Sequence, residues 1–353
     1  MEKLLICLSA IALTSTIIPL IRYEHWIIRI FDFPYVQFTI FNLVILLIVA
    51  TGYFDNIVLG KIFLPLISIS LVFRIWIIFP YTPWASKKVP NALQDDNQST
   101  LKIISANVLM YNDDYSGLVE QVKLEKPDLV LLVEPDKKWE VALRKDFEEL
   151  FPYSLKKPLD NTYGLLFYST YPLSDAGFHH LVEKDVPSID AVITLNNGMK
   201  VRFFGLHPKP PSPTENKTSL PRDVELILTG KKAKESQLPV IIAGDLNDVA
   251  WSHTSRLFLR ISELLDPRMG RGFFNTYHTR YFGFRWPLDH LFLSSHFSVV
   301  NIKRLDNFHS DHFPISAQIA LAHNLKHDQA TEVDESDKQE ICRKLDKIST
   351  INN

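Results

Sequence analysis

The sequence predicts an α/β layered domain built on mixed sheet and preceded by helices of membrane-spanning character. Three observations carry that prediction. First, charge is partitioned: the chain has 38 basic and 40 acidic residues, yet residues 1–83 hold only Glu2, Lys3, Arg22, Glu24, Arg29, Asp32, Asp55, Lys61 and Arg74. Second, beyond residue 100, short apolar runs alternate with charged amphipathic stretches. Third, the runs at 163–169, 189–195 and 200–206 follow one another with no helical pattern between them. That favours an antiparallel or mixed sheet over a doubly wound parallel one. The same composition excludes a uniform soluble globule and a disordered chain. A net charge of −2 exerts no global pull on nucleic acid. Two cysteines, Cys7 and Cys342, allow neither a disulfide scaffold nor a thiolate zinc site.

The membrane region is expected to occupy 1–83 with about three helices. Residues 4–21 and 33–52 carry no charge, and 57–79 is interrupted only by Lys61 and Arg74. A span needs roughly 20 apolar residues to cross about 30 Å of hydrocarbon, which the middle run satisfies well. Two spans is the alternative, because in the third run both basic side chains would have to snorkel. A signal peptide is disfavoured at 4–21, since no small-residue cleavage site precedes Arg22. Tyr23, Trp26, Trp76, Tyr81 and Trp84 stand where an interfacial aromatic belt would place them. With three spans, Lys3 and Lys61 fall on one side and Arg22, Arg29, Lys87 and Lys88 on the other, so charge alone places the large domain inside by a small margin. Residues 84–100 read as a linker, 101–321 as one soluble domain, and 322–353 as a polar, flexible tail with a short helix at 341–348.

Within the domain, strands are expected at 101–108, 128–134, 164–169, 191–195, 201–207, 239–247, 289–294 and 313–321, and helices at 115–125, 137–150, 221–234 and 253–264. Polar residues interrupt the strand ends. Asn107 ends the first strand, Glu134 the second and His207 the run containing Phe203 and Phe204. Asp245 and Asn247 follow the apolar part of 239–247, Asp289 opens its strand, and Asp311 and His312 precede the last one. Strand termini meet at a sheet edge, and carboxylates gathered there must be protonated, paired or shared with a metal ion. Oxygen donors suit Mg²⁺ or Mn²⁺. Each residue also has a local reading. Asn107, Glu134 and Asp289 serve as caps or turn residues, His207 opens a mobile loop, and the Asp245–Asn247 and Ser310–His312 segments form turns. The site vanishes only if all of these hold together.

Quoted in order, SANV, LLVEP, GLHP, GDLND, PLDHLF and SDHFP span nearly all of 101–321, and the domain they form resembles the endonuclease/exonuclease/phosphatase superfamily of metal-dependent phosphoesterases. GDLN and SDH are the specific pieces. The resemblance implies a four-layer α/β sandwich with two packed mixed sheets, here preceded by transmembrane helices, and a site at one end of the sheets. The attached hydrophobic helices are similar to the bacterial membrane-bound branch, which includes proteins associated with glycopeptide resistance. That implies a multi-pass membrane protein with an extracytoplasmic catalytic domain, against the slight charge count.

On this resemblance Glu134, Asn107 and Asp311 are the expected Mg²⁺ ligands, with Asp311 acting directly or through water. Asp245 would orient or deprotonate the attacking water, and Asn247 would fix the phosphate or the aspartate. His312 would face the phosphoryl group with Asp289 holding its tautomer, and His207 would be a second donor. The basic residues Lys209, Arg222, Arg256, Arg268, Arg271, Arg280 and Arg285 are interspersed with acids. The aromatic segment carrying Tyr277, Tyr281, Phe282, Phe284 and Trp286 is either a wall for an apolar substrate or the edge of a core. A tether to a bilayer raises encounter with lipid-borne esters, so a lipid-linked phosphate ester or pyrophosphate is the leading substrate. The alternatives are a membrane-tethered nuclease and a non-catalytic receptor or scaffold.

Overall fold

A computed structural model describes residues 2–51, 57–92, 99–321 and 332–352. Apolar sequence folds first into α1 (Glu2–Ile17), the short α2 (Trp26–Arg29), α3 (Tyr35–Ala50) and α4 (Ile57–Ile78). Two helical stretches are long and apolar enough to cross a membrane, Glu2–Leu20 and Gly60–Tyr81, at 19 and 22 residues. A third candidate exists only if Trp26–Asp32 and α3 count together, and they are bent by 69°. The count agrees with the expected three spans or two, but the middle run, expected to fit well, qualifies only as part of the bent pair, whereas the doubtful third run qualifies by itself. Pro34 sits at the bend, and α3 has 16 residues, roughly 24 Å at 1.5 Å per residue. The run expected at 33–52 ends in residues outside the described ones.

The snorkelling expected of Arg74 does not occur. Its side chain is 0% exposed and points into the helix bundle. There Nε donates to Thr16 Oγ1 (2.7 Å) and Nη2 to Ser15 Oγ (2.9 Å), with the guanidinium 4.6 Å from the Tyr35 ring centroid. Asn42 Nδ2 donates to Ser70 Oγ (2.8 Å), which lies 2.7 Å from Thr16 Oγ1. Polar groups from α1, α3 and α4 thus hydrogen-bond to one another at one level of the bundle, as apolar surroundings favour, although Asn42 Oδ1 is left without a partner among the described residues. Lys61 is exposed, as expected.

The domain contains eleven described strands: β1 (Ser99–Asn107), β2 (Leu129–Val133), β3 (Tyr153–Lys157), β4 (Leu165–Ser169), β5 (Leu173–His179), β6 (Ser188–Thr194), β7 (Lys200–Leu206), β8 (Val240–Asp245), β9 (Asp289–Leu293), β10 (Phe297–Arg304) and β11 (Ile315–Leu321). They form two mixed sheets, ordered β10-β11-β1-β2-β4-β3 and β5-β6-β7-β8-β9. Only β1·β2 and β7·β8 are parallel; the remaining neighbours are antiparallel. The inner faces meet in one core, including Ile103, Leu131, Phe167, Phe203 and Ile241, with Phe167 and Phe203 stacked at 4.4 Å.

Helices α5 (Tyr115–Glu125) and α6 (Lys137–Leu150) cover the outer face of the first sheet, and α7 (Leu220–Glu235) and α8 (His253–Ser262) that of the second. Side chains start three of these helices: Asp114 caps α5, Asp136 caps α6 and Ser252 caps α8. The result is the four-layer arrangement.

Two segments differ from their sequence reading. Part of the stretch read as linker is docked: Val89 is buried in the core between the sheets, and Ala92 N donates to Val299 O (2.9 Å) along the β10 edge. Residues 93–98 lie outside the described ones. The tail expected to be flexible contains α9 (Glu335–Asn352), an 18-residue helix. Ile341 packs with Ile227, Leu257 and Ile261, and Lys344 Nζ lies 2.9 Å from both Asp223 and Glu340. Polar composition concealed this docking because buried ion pairs, not apolar spacing, hold most of it. Residues 322–331 lie outside the described ones.

A candidate active site at one end of the sheets

Register brings the polar strand ends to one level. In the first sheet Asn107 pairs with Val133, so Glu134 follows at once. In the second, Leu206 pairs with Gly244, placing His207 beside Asp245, and Asp245 pairs with Asp289. Gly244 makes that approach feasible: at φ +142°, a Cβ there would lie 1.9 Å from Leu206 O. Glu134 and Asn247 hold left-handed backbone conformations, φ +66° and +51°. These are uncommon for non-glycine residues and turn each side chain out of its strand direction.

The side chains then meet across the gap between sheets. Asn107 Nδ2 donates to Glu134 Oε1 (2.7 Å) and Asp245 Oδ2 (3.2 Å), while its amide oxygen accepts Leu109 N–H (3.0 Å). His207 Nε2 stands 3.8 Å from Glu134 Oε1 and 3.9 Å from Asp245 Oδ2. His312 Nε2 is 3.6 Å from the same Asp245 oxygen, and its Nδ1 is 2.7 Å from Asp289 Oδ2. Asn247 N donates to Asp245 Oδ1 (2.9 Å), and its side-chain amide donates to Pro208 O (3.0 Å). Two overlapping groups, Glu134–His207–Asp245 and Asp245–Asp289–His312, keep their donor atoms within 4.8 Å of one another.

Seven of the eight expected residues therefore converge through these contacts. Asp311 lies outside both groups; it is half-buried and acts on Glu134 through its charge.

Burial dominates the electrostatics. It pushes Glu134 and Asp245 up to about 7, opposed by the Asn107 amide and the positive His312 and reinforced by neighbouring carboxylates. Burial and the adjacent His312 charge hold His207 down to about 3, so its imidazole is neutral near pH 7. For His312 burial also opposes the charge, but Asp289 and Asp245 outweigh it and hold the imidazolium up to about 10.

Donor chemistry fits a divalent cation. Buried carboxylates are crowded around Asp245, and Asp311 Oδ1 and Asp289 Oδ1 are buried without a hydrogen-bond partner. Oxygen donors predominate, with no thiolate among them.

Sequence reasoning missed several residues that set this geometry. Arg222, one of the basic residues interspersed with acids around the motifs, is buried: Nη1 donates to Asn247 O (2.7 Å), and Nη2 pairs with Asp223 (3.0 Å) and Asp248 (3.4 Å). Arg268 is likewise buried, against Asp266 (2.7 Å). Ser310 Oγ donates to Asn107 O (2.7 Å) and accepts His312 N–H (3.1 Å). Tyr277 lies 4.9 Å from the His312 ring, and Tyr163 lies 5.1 Å from His207. Ser310 stood inside a recognisable turn sequence and Tyr277 in the aromatic segment; the others carried no signal of spacing.

The apolar helices abut this end of the domain. Trp251 Nε1 donates to Asp32 O (2.8 Å), Tyr81 OH to Ala250 O (2.7 Å) and Ser219 N to Glu24 O (2.7 Å). Gln37 Nε2 donates to Gly283 O (2.8 Å), and Phe33 meets Trp286 edge-on at 5.8 Å. The aromatic segment divides accordingly. Tyr277 and Trp286 pack against these helices, whereas Tyr281, Phe282 and Phe284 are 60%, 86% and 58% exposed.

Residues 104–312 match the model of the Endonuclease/Exonuclease/phosphatase family. Among similar solved structures is D. rerio TDP2 complexed with single strand DNA product, at 20% identity and TM-score 0.52, covering 63% of this chain and 99% of that one. An endonuclease/exonuclease/phosphatase from Bacteroides vulgatus has 16% identity, TM-score 0.52, and 64% and 100% coverage. A family protein from Bacteroides thetaiotaomicron has 21% identity, TM-score 0.50, and 65% and 100% coverage. No curated protein sequence matches the chain.

Proposed function

The chain belongs to the endonuclease/exonuclease/phosphatase family, and from that premise we propose a membrane-anchored, Mg²⁺- or Mn²⁺-dependent phosphoesterase acting on a lipid-linked phosphate ester or pyrophosphate. The observation that carries hydrolysis is the convergence of Glu134, Asp245 and the His312–Asp289 pair, from separate segments, around Asn107. When bound, a divalent cation supplies charge neutralisation for the phosphoryl oxygens. Glu134 and Asp311 are assigned to hold it, with Asn107 fixing Glu134 against Asp245.

Asp245 orients the attacking water, and Asn247 keeps that carboxylate in place through its backbone N–H. Asp289 accepts from His312 Nδ1, which leaves Nε2–H free to donate to a phosphoryl oxygen. His207, neutral and buried, offers a second donor to developing negative charge.

The lipid assignment is supported by the exposed aromatic tip beside α3, whose root reaches His312 through Tyr277. Nucleic acid is less favoured because Arg222 and Arg268 are consumed in buried ion pairs and Lys209 pairs with Asp185 (2.7 Å) and Glu183 (3.4 Å).

The test uses full-length protein with Mg²⁺ or Mn²⁺, measuring phosphate and headgroup release from lipid phosphates against cleavage of soluble single-stranded DNA. Asp245→Ala is the background control. Lipid turnover that disappears in the control is expected. Faster cleavage of DNA would establish the nuclease reading instead, and activity unchanged by Asp245→Ala would refute the site.

A further inference from the structure

Away from the strand ends, a cleft of about 320 Å³ opens between the last turn of α4 and helix α8. One wall is apolar, with Trp76, Leu259 and Met269 contributing. Lys88, Arg256 and Arg260 bring positive charge, against a single acid, Asp266. That acid is already engaged by Arg268, with Nε and Nη2 at 2.9 and 2.7 Å from its two oxygens. Arg260 is likewise satisfied by both Asp337 oxygens, at 2.6 and 2.8 Å. Arg256 is different. Its Nε donates to Ser252 O at 3.3 Å, and it forms no ion pair among the described residues. Arg256 thus brings to the apolar floor a positive charge that no carboxylate among the described residues pairs with.

Position identifies what such a site would meet. Trp76 is 66% exposed and lies in the Gly60–Tyr81 stretch, followed by the exposed Phe79 and Trp84. Aromatic side chains at the end of an apolar helix mark the depth at which hydrocarbon gives way to headgroups. A ligand entering here needs an anionic group beside an apolar body. The volume is at the lower end for small-molecule pockets, enough for a phosphate, its glycerol and the first chain carbons.

We propose that this cleft binds an anionic phospholipid of the surrounding bilayer, its phosphate at Arg256 and its chain along Trp76 and Leu259. The site is separate from the catalytic cluster and rests on the membrane placement proposed above. Its occupant braces the α4–α8 junction and is not turned over there.

The experiment reconstitutes full-length protein in nanodiscs of phosphatidylcholine alone or with about one-fifth phosphatidylglycerol, and follows thermal unfolding. Wild-type protein should gain about 5 °C with phosphatidylglycerol, the scale expected when a ligand binds the folded state well above its dissociation constant. Arg256→Gln, and Leu259→Trp to fill the cleft, should each lose that gain, while Arg144→Gln on distant α6 keeps it. Brominated phosphatidylglycerol should quench wild-type tryptophan fluorescence more than it quenches Trp76→Phe. An equal gain in wild type and Arg256→Gln, or an equal loss in Arg144→Gln, overturns the proposal. Failure to enter phosphatidylcholine discs at all would instead refute the membrane placement.

Discussion

Replacing Gly244 with alanine tests whether the close approach of β7 and β8 is what aligns His207 with Asp245. The added Cβ would stand 1.9 Å from Leu206 O and 2.9 Å from Leu206 C, at φ +142°. Holding an L-residue in that backbone region costs on the order of 1–3 kcal/mol. Relieving the overlap requires one strand to move within a close-packed core, a further ~1–3 kcal/mol. The total, on the order of 2–6 kcal/mol, is a large share of ordinary domain stability.

Gly198→Ala isolates the backbone contribution, because Gly198 has φ +83° with nothing within 4 Å of its would-be Cβ. Thermal unfolding of full-length protein should show Gly244→Ala falling by at least about 5 °C and by clearly more than Gly198→Ala. Metal-dependent turnover of whatever folds should fall as well, since the residues on either side of the clash carry the site. Equal effects of the two substitutions would refute the packing argument. Normal turnover in a destabilised Gly244→Ala protein would show that the strand spacing does not set the site.

Asp289→Asn should lower turnover by about 10²–10⁴ without unfolding the domain, by analogy with the loss of an aspartate that holds a catalytic histidine; a pH–rate series on both proteins checks it. The pH dependence follows from His312, raised to about 10 against an ordinary 6.5. Its contribution to stability is fully present below about pH 6.5 and is lost as pH rises through about 10, so the variant's unfolding deficit should shrink at alkaline pH. Arg222→Met strands Asp223, Asp248 and the Asn247 carbonyl and should cost about 3–5 kcal/mol, read by chemical denaturation. Truncation after residue 334 removes Lys344 from Asp223 and uncovers Ile227, Leu257 and Ile261. It should lower the unfolding temperature by several degrees, with increased protease cleavage near α7.

The central strands were legible because both of their faces are buried, leaving continuous apolar runs. The three strands that escaped notice, β3, β5 and β10, are all sheet edges. Edge strands carry polar and charged residues on their open side: β3 reads YSLKK, and β5 shifts register between Ser174 and Gly177. The catalytic candidates were legible for the opposite reason. Asn107, Glu134, His207 and Asp245 each interrupt an apolar strand at its end, and local chain geometry then carries them to one place. Arg222 and Lys344 gave no such signal, since a charged residue in a helix normally faces water. Only the fold discloses that both are interior, Lys344 through the packing of α9 against α7 and Arg222 against Asn247 and Asp248. Arg74 concealed itself similarly: one cation in an apolar run does not announce two hydroxyls and an aromatic face waiting for it.

The contacts from Trp251 to Asp32, Tyr81 to Ala250 and Ser219 to Glu24 fasten the α/β domain to its apolar helices at several points. Such a body sits on a pedestal, not a leash. Under the proposed membrane placement it cannot sweep the surrounding volume, and its catchment is a thin slab at fixed height. Arrival of substrate is then two-dimensional diffusion. The rate per enzyme follows the mole fraction of substrate in the plane, and diluting proteoliposomes at constant lipid composition should leave that rate unchanged.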